Sequence, residues 1–142
     1  MSHKVTSVWK ESMIFESDNP NGYMFNLGQS ENTNDPYKPL GPKAVMLSSL
    51  AACSGLDVVS IAEKMKTTFD DLKIEVEAEL TEEHPKTYHA VSVDYHFYGS
   101  NLDEKKITKA VDLSIEKYCG VMEMFRQFSK VKTAIHFHNN YI

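Results

Sequence analysis

The pattern of hydrophobic and polar residues changes at about residue 40. Before that point, short alternating stretches over residues 5–10, 13–15 and 23–27 predict a three-stranded meander, and residues 29–41 predict a loop. After it, long apolar and amphipathic segments appear, which are typical of helices. We therefore expect a strand-rich first third followed by a part that mixes helices and strands.

The apolar run of residues 44–62 predicts a helix that begins near Pro42. Residues 72–80 alternate between apolar and charged side chains, and residues 88–98 alternate less sharply. We therefore predict a hairpin with one solvent-exposed face. A final strand is predicted over residues 131–138.

Two further helices are predicted between the hairpin and the final strand. The first is capped by Asn101 or Asp103 and ends at Cys119, with Gly120 as a left-handed cap. The second is short and covers residues 121–128. The resulting order βββ-α-ββ-αα-β predicts an α+β fold, and because no repeat or long linker interrupts it, we expect a single domain over residues 1–142.

The predicted helix over residues 44–62 is apolar on nearly every side, and Asp57 is its only charged residue. One small sheet covers only one side of such a helix, and a soluble monomer rarely exposes the large apolar patch that would remain. We expect an obligate homodimer in which the second chain covers the other side. Asp57, Gly55 and four serines argue against a membrane span.

Charge and composition limit the partners. Twenty acidic against 15 basic residues give a net charge of −5, and the lysines are spread along the chain, so we expect no nucleic-acid partner. The first residues carry no apolar export segment, which predicts a cytoplasmic protein. Two cysteines in a reducing compartment are expected to be free, metal-bound or redox-active rather than a structural disulfide.

The two cysteines, Cys53 and Cys119, are the candidate catalytic residues. Buried cysteines are common as small apolar side chains, so a plain core role stays open for both. A thiol at the end of the second helix faces the negative end of the helix dipole, which disfavours thiolate. If one of the two is the nucleophile, Cys53 is therefore the better candidate, with Cys119 as the resolving cysteine.

Other residue patterns point to no further chemistry. His136 and His138 share a strand face and could hold a metal only with a third ligand, and His84, His89 and His96 have no metal-ligand spacing. No glycine-rich phosphate loop or serine-hydrolase motif is present. We therefore predict no metal and no cofactor.

The sequence around Cys53 resembles the OsmC/Ohr family. Leu-Ser-Ser-Leu-Ala-Ala precedes Cys53, Ser-Gly-Leu-Asp-Val-Val-Ser-Ile-Ala-Glu-Lys-Met follows it, and a second cysteine comes 66 residues later at the end of the next helix. The resemblance covers nearly the whole chain in element order and is strongest to the uncharacterised OsmC-like branch.

This resemblance implies an intertwined α+β homodimer, with antiparallel sheets around a central, buried helix that bears the first cysteine. It further implies a hydroperoxide reductase of the oxidative stress response that acts on small apolar hydroperoxides. In that activity, Cys53 is the peroxidatic cysteine and Cys119 resolves it through an intramolecular disulfide, which an external dithiol reduces.

Two residues of the peroxidase branches have no counterpart here. Those branches use an Arg from the N-terminal sheet and a Glu ten residues before the cysteine, whereas Lys43 stands at the Glu position and Arg126 is the first Arg in this chain. The alternative function is therefore a non-catalytic dimer that binds an apolar ligand or acts as a redox sensor.

Overall fold

The computed structural model describes residues 1–139, and the chain divides into two compact units, residues 1–46 and residues 47 onward. The described residues form the strands β1 Ser7–Glu11, β2 Ile14–Ser17, β3 Phe25–Gly28, β4 Asp71–Leu80, β5 Tyr88–Tyr98 and β6 Lys130–His138. They also form the helices α1 Pro42–Lys64, α2 Glu104–Leu113 and α3 Gly120–Arg126. The predicted α+β class and element order are confirmed, and the single domain stays a prediction.

The first unit is a small antiparallel meander. Its strands lie in the order β1-β2-β3, as the alternating stretches predicted. Gly28 has a φ of +150°, and a Cβ there would lie 1.9 Å from the carbonyl oxygen of Met13, so only glycine fits this close approach. Large side chains such as Val8, Trp9 and Phe15 are exposed on this sheet.

The second unit contains the sheet β4-β5-β6, in which β5 is central. Strands β4 and β5 form the predicted antiparallel hairpin, but β5 and β6 are parallel. The expectation of purely antiparallel sheets is therefore wrong. Residues 99–129 connect β5 to β6 and contain α2 and α3, and a helical connection of this length allows parallel pairing where a tight turn does not.

One face of β5 forms the core of the second unit. Val91, Val93, Tyr95 and Phe97 are nearly or completely buried there, because alternate residues of a strand point to the same face. They belong to one cluster with buried side chains of all three helices, namely Leu50, Val58, Ile107, Val111, Met122 and Phe125. The other face of β5 carries half-buried polar residues, as the alternating pattern predicted.

Helix α1 buries only a narrow stripe within the chain. Its buried residues, Leu50, Ser54, Val58 and Ala62, recur every four positions, while Leu56 is 73% exposed. By length and composition, α1 is also apolar enough to cross a membrane, but one such helix is weak support for a span. The single chain leaves most of α1 unburied, so the central, buried position of this helix stays a prediction.

The segment between α2 and α3 differs from the prediction of one continuous helix ending at a left-handed Gly120. Helix α2 ends at Leu113, and Ser114–Tyr118 form a π-helical turn. Gly120 has no positive φ and is the first residue of α3. Asp103 is the N-cap of α2, and its carboxylate accepts a hydrogen bond from the Lys106 N–H at 3.1 Å. Asp103 is thus one of the two caps expected from the sequence.

Candidate functional site

The structure brings the two cysteines together. Cys53 lies in the middle of α1 and is half-buried, and Cys119 lies directly before α3 and is 4% exposed. They are close enough for Cys53 to raise the pKa of Cys119, although 65 residues separate them in the sequence. Both are free thiols. The site therefore contains two neighbouring thiol groups.

Cys119 is held as a protonated thiol. Burial raises the pKa of Cys119 to about 11, against a smaller opposing effect of the Met122 N–H, which donates to Sγ at 3.3 Å. Cys53 raises this pKa further, and so does the charge of Asp57. At neutral pH, Cys119 is therefore mainly a protonated thiol, which is a weaker nucleophile than a thiolate.

This result corrects the expected reason for the inertness of Cys119. The sequence placed Cys119 at the negative end of a helix dipole, but its sulfur caps the N-terminus of α3, which is a positive end. The helix end alone would therefore favour thiolate. Desolvation is the larger effect, so the pKa of Cys119 is raised for a physical reason other than the predicted one.

A chain of buried hydroxyl groups lies beside the two sulfurs. The Ser54 hydroxyl contacts the Tyr95 hydroxyl at 2.6 Å and the Ser114 hydroxyl at 2.8 Å. The Ser114 hydroxyl in turn donates to Oδ2 of Asp57 at 3.1 Å. Ser54 and Ser114 are completely buried. The chain thus joins β5, α1 and the π-helical turn through polar contacts inside an apolar core.

The hydrogen bonds within this row of hydroxyl groups all run in one direction, towards Asp57. A carboxylate only accepts, so with one proton on each hydroxyl Tyr95 donates to Ser54, Ser54 to Ser114 and Ser114 to Asp57. Burial raises the pKa of Tyr95 to about 12, so the phenol keeps its proton at physiological pH. Every hydroxyl in the chain therefore has an acceptor, which removes the penalty for burying it.

Ser114 connects the segments that carry the two cysteines. Its hydroxyl contacts Ser54 and Asp57, which follow Cys53 on α1 by one and four positions. Its backbone carbonyl accepts the hydrogen bond from the Cys119 N–H at 2.8 Å, which closes the π-helical turn. Single π-helical turns often occur at functional sites. The position of Cys119 relative to Cys53 thus depends on one buried serine.

Sequence reasoning missed this network. Asp57 offered a signal, because it is the only charge in an apolar helix and needs a donor if it is not fully exposed. Tyr95 and Ser114 offered none, since a buried tyrosine in a strand and a serine in a helical stripe are ordinary core residues. Their contacts join residues 41 to 60 positions apart.

The chain's single arginine does not take the place of the one expected from the family. Arg126 pairs with the Glu123 carboxylate at 2.8 Å and donates to the Ile115 carbonyl oxygen in the π-helical turn. Its charge lowers the pKa of Tyr95 slightly, against the dominant effect of burial. Lys43, which stands at the family's Glu position, is exposed.

The histidines of β6 lie on the outer face of the second sheet. His136 contacts the Asp94 carboxylate at 2.8 Å, and Nε2 of His138 lies 3.1 Å from Nδ1 of His96. Partial burial and the charge of His136 lower the pKa of His96. Within residues 1–139, no three His, Cys, Asp or Glu side chains are grouped to hold a metal ion. These histidines pair with neighbours across the sheet and do not approach the cysteines' network.

Tyr95→Phe should destabilise the protein without changing its fold. The substitution removes one buried hydrogen bond and leaves the Ser54 oxygen with one partner fewer, so we expect a loss of about 1–2 kcal/mol in the free energy of unfolding. Urea denaturation at a fixed protein concentration measures this loss. Tyr23→Phe is the matched control, because Tyr23 is 77% exposed, and equal stabilities of the two variants would contradict the hydroxyl chain.

Comparisons with known proteins agree with the fold. The family model described as OsmC-like protein matches residues 36–134. Protein YhfA of Escherichia coli K12 is 28% identical over 119 residues, which cover 84% of this chain and 86% of that protein.

Two solved structures place the fold among known ones. A hypothetical protein from Aquifex aeolicus VF5 has a TM-score of 0.84 and 29% sequence identity, and 96% of each chain is covered. The organic hydroperoxide resistance protein OhrB of Bacillus subtilis has a TM-score of 0.65 and 18% identity, over 95% of this chain and 98% of that one, which is a likeness of fold alone. Because the family model covers more than half of its length, the chain belongs to the OsmC-like family.

Proposed function

We propose that this protein is a cysteine-based organic hydroperoxide reductase, with Cys53 as the peroxidatic and Cys119 as the resolving cysteine. The observation that carries the proposal is the proximity of the two cysteines, which is close enough for Cys53 to raise the pKa of Cys119. A sulfenic acid formed on one sulfur would meet the other without a large rearrangement. Membership of a family whose structural neighbours include organic hydroperoxide resistance proteins supports the same reaction.

The reaction has two steps on the protein. The Cys53 thiolate attacks the distal oxygen of the hydroperoxide, the O–O bond breaks, and the alkoxide leaves and takes up a proton as the alcohol. The Cys119 sulfur then attacks the sulfenic sulfur, and the hydroxyl group and the Cys119 proton leave together as water. An external dithiol returns the disulfide to two thiols and becomes a disulfide itself. In a reducing cytoplasm, where we place the protein, such dithiols are available.

The surroundings of Cys53 favour an apolar hydroperoxide. Cys53 packs against the buried hydrophobic cluster of the second unit, and its neighbours along α1 are alanine, serine and glycine, with no charge nearer than Asp57. An alkyl or aryl group gains free energy from burial against such a surface, whereas hydrogen peroxide has no apolar part to bury. We therefore expect organic hydroperoxides to be the better substrates.

The second candidate function is a redox sensor. It is favoured by the position of Arg126, which lies in α3 and not in the N-terminal sheet that supplies the Arg of the peroxidase branches. A sensor would form the same disulfide slowly and would not turn over.

Steady-state turnover separates the two functions. Reduced protein is mixed with cumene hydroperoxide and a dithiol such as dithiothreitol, and peroxide loss is followed above the uncatalysed rate. A reductase consumes many equivalents of peroxide per chain and prefers cumene hydroperoxide to hydrogen peroxide. Oxidation of two thiols per chain over hours, with no further peroxide loss, would instead identify a sensor.

We also propose that the active species is a homodimer. Helix α1 presents Met46, Leu56 and Val59 to solvent, and these side chains are 42%, 73% and 49% exposed in the single chain. Together with the exposed side chains of β1, they are more apolar surface than a soluble monomer usually leaves open. A second copy carries the same surface, and self-complementary packing about a two-fold axis is the commonest way to cover it.

Leu56→Glu should weaken this dimer strongly. Each copy would lose the burial of one leucine and would place a charge in an apolar interface, so we expect the dissociation constant to rise by about a hundredfold or more. Light scattering after size exclusion gives the mass directly, which is twice 16.2 kDa for the wild type. Leu80→Glu, at an exposed leucine of β4, is the control. A wild-type monomer at micromolar concentration would refute the proposal.

A further inference from the structure

Three histidines lie together on the outer face of the second sheet, near the end of β6. His96 of β5 stacks on His136, its partner in the register of β6, with 4.5 Å between the ring centroids. His138 stacks in the same way on Tyr98. Only 18% of the His96 side chain is exposed, so this imidazole is largely sheltered from water at the centre of the group.

A single proton joins His96 to His138. Nδ1 of His96 lies 3.1 Å from Nε2 of His138. The 5.4 Å between the two ring centroids is about as long as this contact allows, so the two nitrogens point at each other. One of two facing nitrogens must carry a hydrogen and the other a lone pair, because two N–H groups repel and two lone pairs do not bond. The contact therefore exists only while one proton lies between the rings.

The Glu75 carboxylate decides which of the two nitrogens is the donor. Its Oε1 lies 3.2 Å from Nε2 of His96 and, since a carboxylate only accepts, that nitrogen carries a hydrogen. A neutral His96 then has its lone pair on Nδ1, where it accepts the hydrogen bond from the His138 Nε2–H. The row of Glu75, His96 and His138 thus crosses the sheet from β4 through β5 to β6.

We propose that this row is an acid-sensitive latch, which holds the end of β6 on β5 at neutral pH and releases it in acid. A proton added to His96 occupies Nδ1, so both facing nitrogens carry hydrogens and the contact with His138 breaks. His138 can take up a proton on its other nitrogen without breaking the contact. Protonation of His96 is therefore the step that opens the latch, and this step does not involve the cysteines.

The surroundings of His96 oppose its protonation at neutral pH. Its pKa is lowered from the ordinary value, first by burial and then by the positive charges of neighbouring groups on both flanking strands. These groups are His136 and His138 on β6 and Lys73 on β4. The Glu75 carboxylate acts in the opposite direction, and the Asp94 carboxylate on β5 is paired with His136 at 2.8 Å.

The sign of the pH dependence follows from this lowered pKa. The unfolded or locally opened segment binds a proton at the ordinary histidine pKa of about 6.5, whereas the closed latch binds it only at lower pH. The closed form is therefore fully favoured above about pH 6.5 and loses stability as the pH falls below that value.

Opening of the latch would expose an apolar side chain. In the order β4-β5-β6, β6 is an edge strand that pairs with β5. Phe137 lies between His136 and His138 in the sequence and packs against the buried cluster on the inner face of the sheet. When the end of β6 separates from β5, Phe137 leaves this cluster.

Hydrogen exchange at pH 7.0 and pH 5.0 tests the latch. The backbone amides of residues 133–138, corrected for the intrinsic pH dependence of exchange, report the end of β6, and those of residues 91–97 report the sheet core. In the wild type, we expect protection of residues 133–138 to fall by about fivefold or more at pH 5.0, while residues 91–97 stay protected. In His96→Gln, whose side chain does not titrate, protection of residues 133–138 should be the same at both pH values. His89→Gln is the control, because His89 is an exposed histidine of the same strand, and it should behave as the wild type.

Two substitutions on β4 should shift the latch in opposite directions. Glu75→Gln removes the charge that favours protonated His96, so the loss of protection should move to lower pH. Lys73→Gln removes a charge that disfavours it, so the loss should move to higher pH. General destabilisation would move both in the same direction. Shifts in one direction, equal losses in the wild type and His96→Gln, or constant protection in the wild type would overturn the proposal.

Discussion

Cys53→Ser should abolish peroxide consumption, and Cys119→Ser should stop the reaction at the sulfenic acid of Cys53. Loss of the first sulfur removes the nucleophile, so we expect turnover to fall by about a thousandfold or more. Loss of the Cys119 sulfur leaves the oxidation of Cys53 intact, but it removes the thiol that condenses with the sulfenic acid of Cys53. Cys53 should then progress to sulfinic acid at excess peroxide.

Serine is a suitable replacement at position 119. Its hydroxyl can accept the hydrogen bond from the Met122 N–H as the cysteine sulfur does, so the N-cap of α3 is kept. Dimedone labelling followed by mass spectrometry measures the sulfenic acid. If Cys119→Ser accumulated no sulfenic acid and turned over at the wild-type rate, Cys119 would not be the resolving cysteine.

Ser114→Ala should slow disulfide formation without slowing the first oxidation. The substitution leaves the Asp57 carboxylate and the Ser54 hydroxyl without their partner, which we expect to lower the free energy of unfolding by about 2–3 kcal/mol. It also removes the side-chain contacts that fix the π-helical turn, in which the carbonyl of residue 114 accepts the hydrogen bond from the Cys119 N–H. Conversion of sulfenic acid to disulfide should therefore slow by about tenfold.

The rates of the two oxidation steps show whether Ser114 positions Cys119 or only stabilises the fold. Sulfenic acid formation on Cys53 reports the first step, and disulfide formation reports the second, so a variant that is only less stable would change neither at a temperature where it is folded. Ser92→Ala, on the outer face of β5, is the matched control. An equal loss in both rates would show that Ser114 has no specific part in placing Cys119.

Local sequence patterns were sufficient to predict most of the helices and strands. Strand alternation in residues 72–80 and the apolar run around Cys53 depend on neighbours a few positions apart, and these predictions were confirmed. The parallel pairing of β5 and β6 was not predictable in this way. It depends on how the long connection through α2 and α3 returns to the sheet, and no short pattern encodes that path.

The details around Cys119 were the least predictable. Helical spacing continues through residues 114–118, so the sequence indicated one helix where the structure has a π-helical turn and a new start at Gly120. The change reverses the helix end that the sulfur faces. The pKa of Cys119 is nevertheless raised, because burial outweighs the helix end, and burial is a property of the whole fold.

The most direct test is the product of a single oxidation. Reduced protein receives one equivalent of cumene hydroperoxide per chain, is alkylated without reductant, and is digested with trypsin. We expect each chain to lose two hydrogen atoms and peptides 44–64 and 118–126 to be joined through Cys53 and Cys119. Both cysteines recovered in alkylated form, or a disulfide that joins two copies of the same cysteine, would contradict the account.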